Sequence, residues 1–402
     1  IAGVRAVTLA GSARRWEETV GDLDFLVAAE QPERVMEVFV RMPEVEHVYG
    51  RGKTKTNVRL RTGIDADLRV VGEESFGAAL QYFTGNKAHN VALRKIAVAK
   101  GYKLNEYGLF KKKRKIAGRT EEEIYRKLGL SWMPPEMRLD VGEIELARKK
   151  HIPRLVEFGD IVGDLQTQTD WTDGADSIEE MAREAKTRGW EYIAVTDHTR
   201  GLAMTGGADE KKLLRQMRAI DRLNKKKLGI RILKGAEVNI TKDGGLDIHD
   251  SVLAQLDVAG AAVHSYFHLS EKAQTARIIR AMENPHVDIL FHPTGRLIGR
   301  REPLALDMQE IFKAARRTRT VLEIDAIPDR LDLHDKYIRE ARAQGIKFAI
   351  DTDAHAAAQF SVMQYGVGQA RRGWCEKKHI INTLPLGKLL RELRKPKEKR
   401  KW

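Results

Sequence analysis

Six short apolar runs in the second half of this chain each end on a histidine or a carboxylate. Ile193–Val195 leads into Thr196-Asp197-His198, Ile232–Lys234 into Gly235-Ala236-Glu237, and Val258–Val263 into His264-Ser265. Ile289–Phe291 leads into His292-Pro293, Val321–Ile324 into Asp325-Ala326, and Phe348–Ile350 into Asp351-Thr352-Asp353-Ala354-His355. Runs of this length read as strands, and helical spacing fills the intervals between them. Strand–helix alternation with the polar groups gathered at one end is the pattern of a closed β/α barrel. A single histidine after a strand is ordinarily a structural hydrogen-bonder. So many strand ends with metal-type ligands in one barrel point instead to a cluster for two or three borderline cations such as Zn²⁺ or Mn²⁺.

The first half carries a different signal. Leu9–Val27 reads as a strand, a Gly11-Ser12 turn, a short polar helix, and a second strand bearing Asp22 and Asp24. Two residues apart on a strand, both carboxylates point to one face. Such a pair suits a Mg²⁺–nucleotide site: the Gly-Ser backbone lets a phosphate come close, and carboxylate oxygens hold hard cations. The plain alternative is a pair of loop acids flanking a buried strand. Pro32–Arg41 has the spacing of an amphipathic helix. Asn57–Arg61 and Ile64–Val71 alternate around Thr62-Gly63 as a hairpin, whose second arm sets Asp65, Asp67 and Arg69 on one face. Asp67 beside Asp22 and Asp24 would complete a two-metal site, where one cation activates an attacking hydroxyl and the other clamps a triphosphate.

From Ser75 to Lys100 the pattern is helical and basic, interrupted at Tyr82-Phe83-Thr84-Gly85. An aromatic pair at a glycine break either stacks on a sugar or base or fills a helix junction. Arg94, Lys95 and Lys100 face DNA or water, and Lys111–Lys115 reads as a solvated basic loop. The formal charge of +14 over 402 residues favours a polyanionic partner, nucleic acid before acidic membrane. No apolar run approaches the ~18 residues of a membrane span. The single Cys375 excludes an internal disulfide framework, and the expected setting is cytoplasmic. The chain opens on Ile1, in what reads as a strand and without an initiator Met, which suggests a missing N-terminal part.

The succession GS…RR…ETVGDLDFLV, IDADLRVV, YFTGNKAHNVALRKIA and LNEYGLF resembles the palm and thumb of family X DNA polymerases over about residues 1–119. The resemblance implies a nucleotidyltransferase palm over 1–72, a mixed β-sheet with helices, and a thumb over 73–118. It implies Asp22, Asp24 and Asp67 as the catalytic, Mg²⁺-binding triad. Gly11, Ser12, Arg15 and Gly21 become triphosphate contacts, and Tyr82, Phe83 and Gly85 the segment packed on the nucleotide's sugar. Asn90 and Arg94 match residues on the minor-groove side of the nascent pair and template, with Lys95 a further DNA-binding candidate. Trp16 and Lys87 depart from the family's habit. The family's helix-hairpin-helix and fingers-like parts would lie upstream of Ile1. The implied partners are gapped or primed DNA and dNTPs, and the chain is expected to be a monomer.

Residues 119–158, with a Thr120/Glu123 capping box and Pro134-Pro135, read as a linker with short helices. Beyond it, GDLQTQTDWTDG, VTDH, KGAEVNI, AVHS, FHPTGR and DTDAH in order resemble the PHP (polymerase and histidinol phosphatase) domain over about 159–390. The resemblance implies a distorted β/α barrel with Asp173, His198, Glu237, His264, His292, Asp353 and His355 as ligands of Mn²⁺ or Zn²⁺. The implied activity is Mn²⁺-dependent phosphodiester hydrolysis, a 3′→5′ exonuclease. The family's His-x-His is here Gln166-Thr167-Gln168. A neutral amide serves Zn²⁺ or Mn²⁺ poorly, so one metal of three is expected to be weakened or absent, and hydrolysis with it. The alternatives are a barrel that works alone as a phosphoesterase on DNA ends and a barrel that is a non-catalytic scaffold. Residues 391–402 read as a frayed basic tail.

Overall fold

The computed structural model describes residues 3–402; Ile1, read above as part of a strand, lies outside them. The chain divides into two compact units, Ile1–Pro153 and Arg154–Trp402. No helix among the described residues is long and apolar enough to cross a membrane.

The first unit is built on a five-stranded sheet of β1 (Val4–Leu9), β2 (Asp22–Ala29), β3 (Val45–Arg51), β4 (Lys55–Leu60) and β5 (Asp65–Val71), in the order β1-β2-β5-β4-β3. Only β2 and β5 run parallel. Alternation in β5 buries Ala66, Leu68 and Val70 and turns Asp65, Asp67 and Arg69 to the opposite face. The short helix α1 (Gly11–Arg14) joins β1 to β2 and takes in the Gly11-Ser12 pair read above as a turn before it. Helix α2 (Pro32–Val40) covers the sheet, placing Val35 and Met36 against Val27, Leu68 and Val70.

Helices α3 (Phe76–Thr84) and α4 (Lys87–Ala99) follow, separated at Gly85. A small antiparallel sheet comes next, made of β6 (Tyr102–Asn105), β7 (Gly108–Lys111) and β8 (Arg114–Ala117). The basic Lys111–Lys115 run is therefore a β-hairpin rather than a loop, with Lys112 at φ +55° in its turn.

Residues 119–153 are not a free linker. Helix α5 (Glu121–Leu128) begins at Thr120, whose hydroxyl accepts from Glu123 N at 3.2 Å, and Ile124, Tyr125 and Leu128 on it share a core with Leu93, Leu109, Met133 and Ala147. The apolar side chains of this segment have enough surface to bury, and that burial outweighs the chain-stiffening of Pro134-Pro135.

The second unit is a single sheet of seven parallel strands. They are β9 (Gly163–Thr167), β10 (Tyr192–Val195), β11 (Arg231–Asn239), β12 (Val258–Ala262), β13 (Ile289–Leu290), β14 (Val321–Asp325) and β15 (Phe348–Asp351), neighbours in chain order throughout. Thr167 bridges Ala354 in parallel, and Gln168 N donates to Ala354 O at 2.8 Å, nearly closing the barrel between first and last strands. Helices pack outside, and their apolar faces, such as Met181, Ile278 and Phe312, join strand residues in one large core. The C-terminal segment is not frayed. Lys397 is buried and donates to Met282 O at 2.8 Å and Thr320 Oγ1 at 2.9 Å, while Arg400 pairs with Asp288 at 2.6 Å. Lysine and arginine stems bury along apolar surface when their heads find acceptors, and this tail satisfies both conditions.

Candidate functional site

In the first unit the parallel pairing of β2 and β5 sets Asp22 opposite Asp65 and Asp24 opposite Asp67. Three of these carboxylates crowd together, and the Asp24 carboxyl responds: burial and the charges of Asp22 and Asp67 push it above the ordinary carboxylate range. A cation held among them would relieve that repulsion, and carboxylate oxygens suit a hard metal ion, although as they stand these three do not form a set of donor atoms within 4.8 Å of one another. Asp67 is steadied from β4, where Lys55 Nζ lies 3.2 Å from its Oδ2 and Asn57 Nδ2 donates to its Oδ1. The hairpin register sets Asn57 directly across from Asp67, while Lys55 lies across from Arg69 and reaches Asp67 diagonally.

Asp22 and Asp24, but not Asp67, line a cavity of about 550 Å³ together with Gly11, Ser12, Arg15, Tyr82, Phe83, Gly85, Asn86, Lys87, Asn90 and Arg94. Two glycines are needed for this shape. Gly11 has φ +58°, and a Cβ there would sit 2.1 Å from Asp24 Oδ2. Gly85 has φ +70°, and a Cβ there would sit 3.2 Å from Arg15 Nη1. Arg15 donates to Thr84 O at the end of α3, and its Nε lies 3.2 Å from Glu17 Oε1. Tyr82 and Phe83 meet edge to face at 5.1 Å, with the Arg69 guanidinium 4.2 Å from the Phe83 ring centre. Asn90 is anchored to α3: its amide donates to Tyr82 O at 2.7 Å and accepts from Gln81 at 2.6 Å. Gly21 sits exposed at the start of β2, outside the cavity lining, and Lys95 is exposed on α4 and also outside it.

A further brace was not apparent in the motifs. Arg14 donates to Thr84 Oγ1 at 2.6 Å and, through both terminal nitrogens, to Glu121 at 2.9 and 2.8 Å. Glu121 also accepts from buried Arg138 at 2.6 and 3.0 Å and from Trp132 Nε1 at 3.0 Å. The only hint in the sequence is an acid at the start of α5 and two adjacent arginines, which could find many partners.

In the second unit the predicted ligands gather at the C-terminal ends of the barrel strands. Glu237 lies within β11 rather than after it, and is fully buried. Its Oε1 accepts from His264 Nε2 and His292 Nε2, both at 2.8 Å. Its Oε2 accepts from Gln168 Nε2 at 2.8 Å and Gln166 Nε2 at 3.2 Å, and His198 Nδ1 approaches it at 3.3 Å without hydrogen-bond alignment. Burial opposes ionisation of Glu237, but the imidazoles of His198 and His264 overcome it and hold the carboxyl well below its ordinary value. Asp173 Oδ2 lies 3.6 Å from His198 Nε2 and 3.5 Å from His355 Nε2. Burial of His355 opposes its protonation, yet Asp173 and Asp353 carry its pKa up to about 9. Asp353 Oδ1 accepts from Gln168 Nε2 at 3.3 Å.

Two sets of donor atoms lie within 4.8 Å of one another, Asp173 with His198 and His355, and His198 with Glu237 and His264. Nitrogen and carboxylate donors at this spacing fit a borderline cation. The Gln166–Gln168 side differs. Both amides donate to carboxylates, and their carbonyl oxygens, though buried, have no donor among the described residues. An amide nitrogen has no lone pair to give a metal, so this side does not fit a Zn²⁺ or Mn²⁺ site as it stands. Below it lie buried carboxylates: burial, and then mutual repulsion, raises Glu323, Asp325 and Asp351 well above their ordinary range and Asp164 to about 7.

The comparisons with known proteins agree with this division. A family model described as DNA polymerase beta thumb matches residues 79–139, and one described as PHP domain matches residues 164–324. The chain is 40% identical over 384 residues to the DNA polymerase/3′-5′ exonuclease PolX of Bacillus subtilis (strain 168), an alignment covering 94% of this chain and 66% of that protein. It is 30% identical over 233 residues to a probable phosphatase of Thermoanaerobacter sp. (strain X514), covering 56% of this chain and 90% of the relative. A solved ternary gap complex of Leishmania infantum polymerase beta aligns at 23% identity and TM-score 0.30, over 33% of this chain and 62% of that one, too slight a likeness to bear on the site.

Proposed function

Since the chain belongs to the family X DNA polymerases that carry a PHP domain, we propose that its first unit is a DNA-directed DNA polymerase of the gap-filling type and its second a PHP module with a weakened hydrolytic site. The observation that carries the first part is the register of β2 on β5, which sets Asp67 opposite Asp24, itself lining with Asp22 the cavity that Ser12 and Arg15 share. Asp22, Asp24 and Asp67 would hold Mg²⁺, which when bound supplies Lewis acidity and neutralises phosphate charge. Around it the chain's own groups bind and orient. Gly11-Ser12 and Arg15 hold the triphosphate of a dNTP, with Gly21 at the edge of the same loop. Tyr82, Phe83 and Gly85 flank the sugar, and Asn90 and Arg94 face the nascent pair, with Lys95 on the DNA side of α4. The primer 3′-hydroxyl attacks the α-phosphate, and pyrophosphate leaves. Gapped or primed DNA is the partner, in the cytoplasm, with the protein a monomer. The test is extension of a primer on gapped DNA. The expected result is incorporation by the native chain and a loss of about three orders of magnitude or more in Asp67→Ala; extension that survives Asp67→Ala refutes the triad.

The barrel reading rests on Glu237 and Asp353, whose oxygens face the amides of Gln166 and Gln168. Asp173, His198, His264, His292, Glu237 and His355 would still hold Mn²⁺ or Zn²⁺, and Asp353 only in competition with Gln168. Metal analysis of the purified chain distinguishes the outcomes: fewer than three equivalents per barrel are expected, and three refute the weakened site.

A further inference from the structure

The candidate metal ligands of the second unit lie toward the C-terminal ends of the barrel strands. The opposite end carries charge that neither candidate site uses. Just before β14 and β15, a cleft of about 180 Å³ is lined by Arg316, Arg319, Lys347, Arg400 and Lys401, with the Trp402 indole beside them. No acidic side chain lines it. Arg316, Arg319 and Lys401 are exposed, and their side chains make no ion pair among the described residues. Arg400 is different: it pairs with Asp288 at 2.6 Å and donates to Lys395 O and Leu393 O, which fixes the segment that carries Lys401 and Trp402. Lys347 Nζ donates to Lys378 O at 2.6 Å, and burial, then the charges of Lys378 and Lys388, hold its pKa below the ordinary lysine value. Cations here are close enough to repel one another, and a bound anion relieves that. The Trp402 Nε1–H is buried and has no acceptor among the described residues. A buried N–H without an acceptor is costly, and it persists where a ligand or water completes it.

A plainer account covers part of this. Cations at a helix C-terminus offset the carbonyl dipole, which explains Arg316 near the end of the helix Met308–Thr318. It does not explain Lys347, which precedes β15, or Lys401, which comes from the C-terminal segment. Three separate segments bring cations to one cleft. Arg319 also ends its helix at φ +58°, where glycine is the usual residue.

The occupant follows from size and charge. Pockets that enclose a drug-sized ligand measure about 300–1,000 Å³, so this cleft takes a phosphate group and not a whole nucleotide. Positive charge continues past it, with Lys388 near Lys347 and exposed Arg394 lining a neighbouring cavity that shares Arg400. That cavity also holds Asp257 and the paired Asp288, so the uncompensated charge is concentrated at the first cleft. Cations spread over more than one phosphate suit a polyanionic backbone. An acidic membrane is the other extended polyanion, but none of the large exposed hydrophobic side chains falls within residues 308–319, 345–347 or 386–402, and a membrane-surface segment needs such side chains to insert.

We propose that the N-terminal end of the barrel is a second nucleic-acid contact, in which Arg316, Arg319 and Lys401 take backbone phosphates of duplex DNA without regard to sequence. The contact goes beyond the polymerase reading, which concerns a primer end in the first unit, and it needs no metal in the barrel.

The experiment is fluorescence anisotropy of the full chain with a labelled blunt duplex of about 30 base pairs, free of nick or gap, at salt from about 50 to 200 mM. Arg316→Gln with Arg319→Gln and Lys401→Gln is expected to weaken binding about tenfold or more. The slope of log affinity against log salt is expected to fall by about 2–3, since each phosphate contact contributes about 0.9. Lys211→Gln with Arg215→Gln and Arg218→Gln removes the same charge from exposed positions on the helix Glu210–Lys225 and is expected to change affinity less than about twofold. If the first triple variant melts early, Lys401→Gln alone decides, with an expected fall in slope of about 1. The proposal is overturned if affinity and slope survive the exchanges, or if the control set weakens binding as much. It is equally overturned if the exchanges abolish binding of inorganic phosphate or of acidic-lipid vesicles while duplex binding is unchanged. Primer extension at saturating gapped DNA reads the first unit and is expected to stay at the native rate, so failure of one reading is distinguishable from failure of the other.

Discussion

Replacing Glu121 by Gln tests whether the phosphate loop of the first unit is held by a buried charge network. Glu121 accepts four hydrogen bonds from Arg14 and Arg138 and one from Trp132, at 2.6–3.0 Å, and only 4% of it is exposed. The amide keeps the volume, removes the charge, and turns an NH₂ group toward one guanidinium. Arg138, fully buried, then loses the carboxylate it pairs with at 2.6 Å. Breaking a buried pair by removing one partner costs about 3–5 kcal/mol. For a unit of this size, with a urea dependence of about 2 kcal/mol/M, the midpoint of its transition falls by about 1.5–2.5 M. Tryptophan fluorescence reads it, because Trp132 is itself a donor to Glu121. The pH dependence has a definite sign. Burial opposes ionisation of Glu121, but Arg138 and Arg14 hold the carboxyl well below 4.5. Its contribution is fully present above that ordinary value and is lost as the pH falls through the depressed folded-state value, so the gap between native and variant narrows in acid. Arg14 also steadies Thr84, whose carbonyl accepts from Arg15, and the KM for dNTP is expected to rise by about tenfold. A first transition shifted by less than about 0.5 M would refute the network as the brace.

Two further substitutions address the sites directly. Gly11→Ala drives a Cβ to 2.1 Å from Asp24 Oδ2 at a φ of +58°, so primer extension is expected to fall by about two orders of magnitude while the second unit melts as before; extension at native rate would show that α1 is free to shift. Gln166→His with Gln168→His is expected to add about one bound metal per barrel and to raise Mn²⁺-dependent release of nucleotides from a 3′ end about tenfold or more; unchanged metal content would mean that the glutamines are not the limitation.

What was legible in the sequence followed strand periodicity. The hairpin around Thr62-Gly63, the face shared by Asp65, Asp67 and Arg69, and the helix break at Gly85 all appear where alternation and glycine placed them. Asp173, His198, Glu237, His264 and His355, expected as ligands, also come together in the barrel. Legibility failed where burial depends on distant partners. Residues 119–153 carry prolines that suggest a linker, but Ile124, Tyr125 and Leu128 meet Leu93 and Leu109 across a sequence gap that no local pattern reports. The basic tail reads as solvated until Asp288 and Thr320 supply acceptors for Arg400 and Lys397.

Why the two sites should differ in their appetite for cations follows from the donors each carboxylate meets. In the first unit Asp22 and Asp24 face a cavity, and repulsion among the acids leaves lone pairs to share. In the barrel, Glu237 has already committed both oxygens, Oε1 to two imidazoles and Oε2 to two amides. Imidazoles can turn a lone pair to a metal after losing a proton; amide nitrogens cannot. A cation entering on the glutamine side must therefore displace two hydrogen bonds to a charged acceptor, each about 1.5–3 kcal/mol. The sum of about 3–6 kcal/mol corresponds to about two to four decades of affinity. On the Asp173–His198–His355 side no amide stands between the donors, and that cost does not arise. On the proposed reading the two glutamines would lower affinity at one end of the cluster and not at the other, which is why metal stoichiometry is a more direct readout of Gln166 and Gln168 than the rate of any reaction.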